Sequence, residues 1–175
     1  LLLHAQQQVR AQGGGWCHDP ASCVGRTKKY LGTSSVNITK FANVAELSTV
    51  GCDNRGCGAL MLNDPAINEL SHDWNAVFMR YCDGMSFAGN ASAPFVDPKT
   101  GTTLYFRGLE ILHATYASLA ANEDLGDATI ALIGGASAGG LATYLHADVA
   151  TDLVHAANVA AGKASATVVS KPDCG

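Results

Sequence analysis

Seven residues in the last quarter of the chain, Gly134-Gly135-Ala136-Ser137-Ala138-Gly139-Gly140, separate a short apolar run from a helical repeat. Thr129 to Ile133 (TIALI) has the length and branching of a buried strand. After the glycines, Leu141, Leu145, Val149 and Leu153 recur every four residues as one helix face. A chain that passes from strand to helix in so few residues must pack the helix back onto the sheet it has just left. Gly135, Ser137 and Gly139 form the pattern G-x-S-x-G, in which the serine occupies a strained turn and a β-carbon at either glycine would meet adjacent backbone. The hydroxyl of such a serine stands above the sheet edge, and the N–H of Ala138 can face a developing negative charge. Ser137 is therefore a candidate nucleophile. Two other readings stand beside it: a glycine loop that only lets helix and strand pack, or a phosphate cradle. The second fits poorly, because Gly140 and Leu141 occupy the places where Lys and Ser/Thr are needed.

Upstream, strand-like and helix-like segments alternate, the order expected of an α/β fold with a mostly parallel sheet flanked by helices. Leu1 to His4 reads as the end of a strand, followed by a Gln-rich stretch and a glycine loop at Gly13-Gly14-Gly15-Trp16-Cys17. Asp19 to Ser48 is polar and irregular, the composition of a surface excursion. Trp74 to Cys82 (WNAVFMRYC) reads as a buried strand ending at the turn Asp83-Gly84. Phe106 to Ala121, with apolar residues at 109, 112, 116 and 119, reads as a helix.

Of the 175 residues, 47% are hydrophobic and 15% charged, which excludes whole-chain disorder. One core is the default at this size. A net charge of -4 with scattered basic residues argues against nucleic acid as a partner, since that affinity begins with phosphate neutralisation. Every apolar run is interrupted well short of about 18 residues, so no transmembrane segment is expected. The chain opens on Leu1-Leu2-Leu3 without an initiator Met or a charged signal-peptide start, as a processed product or fragment would.

Six cysteines, at 17, 23, 52, 57, 82 and 174, permit 15 pairings. The short polar loops Cys17 to Cys23 and Cys52 to Cys57 suit local disulfides in an oxidising compartment. A zinc site drawing on Cys52, Cys57, His18 and His72 is the rival, but no second short-spaced pair follows. The sequons at Asn37 and Asn90 make both residues glycosylation candidates and agree with secretion.

Gly13-Gly14-Gly15-Trp16 follows an apolar run, where an α/β-hydrolase places the loop whose bare backbone N–H groups receive an oxyanion. A turn carrying a buried Trp is the alternative. The GGGWC block, Ser48-Thr49-Val50-Gly51, Trp74-Asn75, Arg80-Tyr81-Cys82-Asp83-Gly84-x-Ser86-Phe87-x-Gly89, Leu104-Tyr105-Phe106-Arg107-Gly108 and the serine turn, in that order, resemble the pectin acetylesterase and Notum family of carboxylesterases. Likeness to the plant-type pectin acetylesterases is the closer. The resemblance implies an α/β-hydrolase-like fold with Ser137 as nucleophile and the backbone amides of Gly15, Trp16 and Ala138 as oxyanion hole. It also implies secretion, a Cys17–Cys23 disulfide, an acetylated polysaccharide substrate, and neither metal nor organic cofactor.

Three departures from the family pattern carry expectations. Gln7 to Gln12 reads as an insertion between the first strand and the glycines, and Ala136 stands where plant members often carry Cys. Pro172-Asp173-Cys174-Gly175 resembles the opening of the family's D-A-G block, so residues 1–175 read as a partial domain, incomplete at both ends. The family's triad Asp and His are expected beyond Gly175. His146 would lie about 13 Å along the helix from Ser137, and His155 farther, so both read as helix-surface or packing residues. Asp148 and Asp152 read as solvated. His4, His18, His72 and His113 precede the nucleophile, against the chain order of this fold. Two functional alternatives remain: a lipid-ester hydrolase of Notum type, and a non-catalytic fragment or pseudoenzyme.

Overall fold

A computed structural model of the chain describes residues 6–29, 31–33 and 64–173. The expectations for Leu1–His4, Asn37, Ser48–Gly51, Cys52, Cys57 and Cys174 lie outside those residues. The elements in chain order are β1 (Gln6–Ala11), α1 (Pro20–Arg26), β2 (Asn75–Met79), β3 (Phe95–Val96), β4 (Thr103–Leu104), α2 (Gly108–Asn122), a 3-10 turn (Leu125–Asp127), β5 (Ile130–Ala136), α3 (Ala138–Ala160) and β6 (Thr167–Asp173). β2, β1, β5 and β6 form one parallel sheet in that spatial order, and β3 pairs with β4 as a small antiparallel ribbon.

Parallel strands alternate their side chains between the two faces. Val9 and Ala11 of β1 and Ala131 and Ile133 of β5 share a core with Leu112, Tyr116 and Leu119 of α2 and Ala142, Ala150, Val154 and Ala157 of α3. Asn158 of α3 is fully buried and bonds backbone on both flanking segments. Its amide donates to the carbonyls of Gly126 and Ala128, 3.0 Å each, and its oxygen accepts from Ala166 N–H at 2.8 Å. One polar side chain thus registers α3 against the entries to β5 and β6.

Three sequence expectations are corrected. Gln6 to Ala11 is not an insertion but β1 itself, a central strand that leads directly into the glycines. Its buried polar side chains reach partners distant in sequence: Gln7 donates to Glu123 O, though its own Oε1 has no partner among the described residues, and Arg10 pairs with Asp173, while Gln12 just after the strand accepts from Tyr81 N–H. Within the polar stretch Asp19 to Ser48, residues 20–26 form α1, started by a capping box between Asp19 and Ser22 with Pro20 in the first turn. The buried stripe of α3 is also offset from Leu141, Leu145, Val149 and Leu153. It runs through Ala138, Gly139, Ala142, His146, Ala150 and Val154, beginning where Gly139 meets the β1 backbone; Val149 and Leu153 pack at its edge and Leu145 is half exposed. His146 takes the packing place expected of it, buried against the sheet side of α3.

The order of strands fixes where a ligand can bind. From β1 the chain moves to β2 on one side, and from β5 to β6 on the other. The connections therefore diverge between β1 and β5, and the crevice outside the carboxyl ends of two such strands is the general binding position of open α/β sheets. The two segments that leave those ends are Gln12–Trp16 and Ser137.

Candidate active site

Ser137 connects β5 to α3 with φ 56° and ψ -123°, a conformation that is costly for any residue with a β-carbon. Close packing holds it there. A β-carbon at Gly135 or at Gly139 would overlap backbone, at Gly135 the carbonyl of Gly139 and at Gly139 the carbonyl of Ala11. The serine N–H donates to Asp173 O at 2.9 Å, which ties the turn to the end of β6, while its side chain is exposed. Ala138 opens the helix, so its N–H has no acceptor within it.

The β1 loop begins against this turn. A β-carbon on Gly13 would overlap Ala136 O and stand 3.2 Å from Ser137 Cβ. Gly14 and Gly15 follow with φ of 146° and 66°, conformations that L side chains rarely adopt. Among the described residues the N–H groups of Gly15 and Trp16 have no acceptor, whereas the next one, Cys17, donates to Gly84 O at 3.1 Å. Trp16 is half exposed, contrary to the buried-Trp alternative, and its indole N–H donates to Ser86 Oγ at 2.7 Å.

Behind the loop, Cys17 and Cys23 are joined as a disulfide that anchors the loop to α1. From the last turn of α1, Arg26 donates to Gly14 O (2.9 Å) and Leu31 O (3.0 Å) and lies 5.2 Å over the Tyr81 ring. Burial pushes the Tyr81 phenol above its ordinary pKa, so it stays neutral while its oxygen accepts from Ser86 N–H at 3.0 Å. Asp83 Oδ1 accepts from the N–H groups of Met85 (3.3 Å) and Phe87 (3.2 Å). That carboxylate closes the Asp83–Phe87 turn, in which Ser86 and Phe87 both have positive φ.

A cavity of about 630 Å³ lies beside the disulfide, lined by Cys17, Cys23, Arg26, Cys82, Leu104 and Phe106 among others, and Ser137 does not line it. The histidines after Ser137 are both engaged: His146 Nε2 faces Ser86 O at 3.2 Å and His155 Nε2 faces Ala166 O at 3.1 Å. Facing carbonyls, these Nε2 atoms are donors, and the 1.5 Å rise per residue puts His146 about 13 Å along α3 from Ser137 and His155 farther. Asp148 and Asp152 are exposed, as expected. Asn90 is exposed and accessible to modification, and the two cysteines of the zinc alternative, Cys52 and Cys57, lie outside the described residues. Sequence reasoning missed Arg10, Arg26 and Ser86 as site supports. Only the R-Y-C-D-G-x-S-F block hinted at the last of these.

The chain is similar to known proteins over nearly all of the described residues. The family model described as Pectinacetylesterase matches residues 6–174. Pectin acetylesterase 5 of Arabidopsis thaliana is 38% identical over 144 residues, 82% of this chain and 30% of its own length. Pectin acetylesterase 11 of the same plant is 34% identical over 140 residues, 80% of this chain and 31% of its own. The chain therefore spans about 30% of the length of the curated relatives it matches. A crystal structure of the Wnt deacylase Notum from Drosophila superimposes with a TM-score of 0.65 at 25% identity, covering 94% of this chain and 42% of the other. With a strained serine turn set against a glycine loop on a parallel sheet, and a family model matched from β1 to the end of β6, the chain belongs to the pectinacetylesterase family.

Proposed function

We propose that the protein containing this chain is a secreted serine carboxylic ester hydrolase that removes O-acetyl groups from pectin or a related cell-wall polysaccharide. Ser137 Oγ attacks the acetyl carbonyl carbon as a base takes its proton. The N–H groups of Gly15, Trp16 and Ala138 receive the oxyanion, the bond to the sugar oxygen breaks, and that oxygen leaves with the proton. Water then attacks the acetyl-enzyme, releasing acetate and restoring Ser137. The observation that carries the reading is the contact of Gly13 with Ser137, which brings the glycine loop against the turn of the exposed serine; the Gly15 and Trp16 N–H groups of that loop have no acceptor among the described residues. The base is placed outside the described residues, because His146 lies about 13 Å along α3 from Ser137 and His155 farther, beyond hydrogen-bond reach. Secretion is supported by the Cys17–Cys23 disulfide and the exposed sequon at Asn90.

The test is hydrolysis of an aryl acetate and of acetylated pectin by the full-length protein and its Ser137→Ala variant, with a long-chain aryl ester alongside. Turnover of both acetates should fall on the order of 10^4-fold in the variant. Residues 1–175 alone should show no Ser137-dependent turnover. Near-normal hydrolysis by Ser137→Ala would refute the proposal, and preference for the long-chain ester would favour the lipid-ester alternative. A full-length protein inactive on all three would favour the non-catalytic one.

A further inference from the structure

Ser86 and Phe87 are consecutive residues with φ of 52° and 59°, neither a glycine and both buried. A side chain in this conformation is costly, and the cost persists only where the surroundings over-determine it. Here they do. Ser86 is bonded three ways to three separate parts of the chain: its N–H to the Tyr81 hydroxyl, its carbonyl to His146 Nε2 of α3, and its hydroxyl to the Trp16 indole. The first two bonds use backbone and any residue could make them. Only the third needs serine, and it is the shortest, at 2.7 Å.

We infer that Ser86 is a positioning residue for ester hydrolysis: its hydroxyl, held by the Asp83–Phe87 turn and by α3, fixes the Trp16 indole and with it the backbone that presents the Gly15 and Trp16 N–H groups. The bond joins the loop after β1 to the helix that begins at Ser137 through a single residue. Trp16 is half exposed, so without it the ring has room to turn, and the preceding glycines offer little resistance to a backbone that follows. An oxyanion hole loses much of its effect when its donors stray from the developing charge. The inference rests on the esterase reading of Ser137, Gly15 and Trp16.

The full-length protein can test both levels with Ser86→Ala, Trp16→Phe and the double variant. Ser86→Ala deletes one hydroxyl and leaves both backbone bonds possible. Trp16→Phe removes the donor from a half-exposed side chain, so it serves if the first variant folds poorly. In 1H–15N spectra, Trp16→Phe identifies the indole cross-peak by deleting it, and Ser86→Ala should move that same peak and hasten its exchange with solvent. With an aryl acetate, each single variant should lose about tenfold or more in kcat, with KM held within about twofold. The double variant should be no worse than the poorer single. An indole peak indifferent to Ser86→Ala, an unchanged kcat, or losses that multiply would each overturn the inference. Full turnover by Ser137→Ala would instead overturn the esterase reading itself, a failure the indole peak does not share.

Discussion

Gly13 stands so close to Ser137 that a β-carbon on the glycine would come within 3.2 Å of the serine Cβ while overlapping Ala136 O. What the extra carbon meets is backbone at the end of a central strand, which cannot swing aside as a side-chain tip can. Gly13→Ala should therefore push the β1 loop away from the turn. The expected cost is about 1–3 kcal/mol in stability and about 100-fold in ester turnover. Urea unfolding together with aryl acetate kinetics checks both. Wild-type values in the two assays would mean that the loop and the serine turn are not in contact.

Asn158 registers α3 through three hydrogen bonds to main chain, and it has no contact with the serine turn. Asn158→Leu keeps the size of the side chain but strands two carbonyls and one N–H in the core. A loss of about 3 kcal/mol or more is expected. It should appear as a lower urea midpoint with unchanged slope, while Ser137 turnover at low denaturant stays near normal. A loss below about 1 kcal/mol would show that solvent reaches these groups.

Cys82 has no disulfide partner among the described residues, and its half-buried thiol has a pKa raised above the ordinary value, chiefly by burial, with Arg80 opposing the rise and Asp83 adding a smaller part to it. The thiolate is the reactive form. Alkylation of the folded protein at Cys82 should therefore rise with pH through a midpoint above the roughly 8.5 of an unhindered thiol. Peptide mapping after timed iodoacetamide treatment measures it, and a midpoint at or below the free-thiol value would contradict the burial described here.

The contrast between what the sequence announces and what it conceals has a physical basis. The serine turn, its strand and its helix are readable because local rules dictate all three: glycines where backbone crowds, a branched run before, a helical period after. The same period misassigns the inner face of α3. Helix spacing does not say how near the sheet will lie, and at Gly139 the helix comes so near that a β-carbon would overlap Ala11 O. β1 escapes notice for a different reason. Gln7, Gln8 and Arg10 look like surface residues, yet all are buried, the Gln7 amide N–H donating to Glu123 and Arg10 pairing with Asp173, partners distant in sequence. The left-handed pair Ser86 and Phe87 carries no glycine to mark it, because tertiary bonds impose the conformation. By contrast, α1 was announced by Asp19-Pro20 and Ser22, and only the polar composition around them hides it.

Ser137 as the acyl-accepting nucleophile is the claim on which the rest depends, and trapping the covalent intermediate tests it most directly. The full-length protein is quenched in acid within milliseconds of mixing with excess aryl acetate, digested, and its peptides analysed by mass spectrometry. An acetyl group on the peptide containing Ser137, absent in Ser137→Ala and lost when the quench is delayed beyond substrate exhaustion, is the predicted result. Acetyl transfer to another residue, or full turnover with no adduct at Ser137, would contradict it.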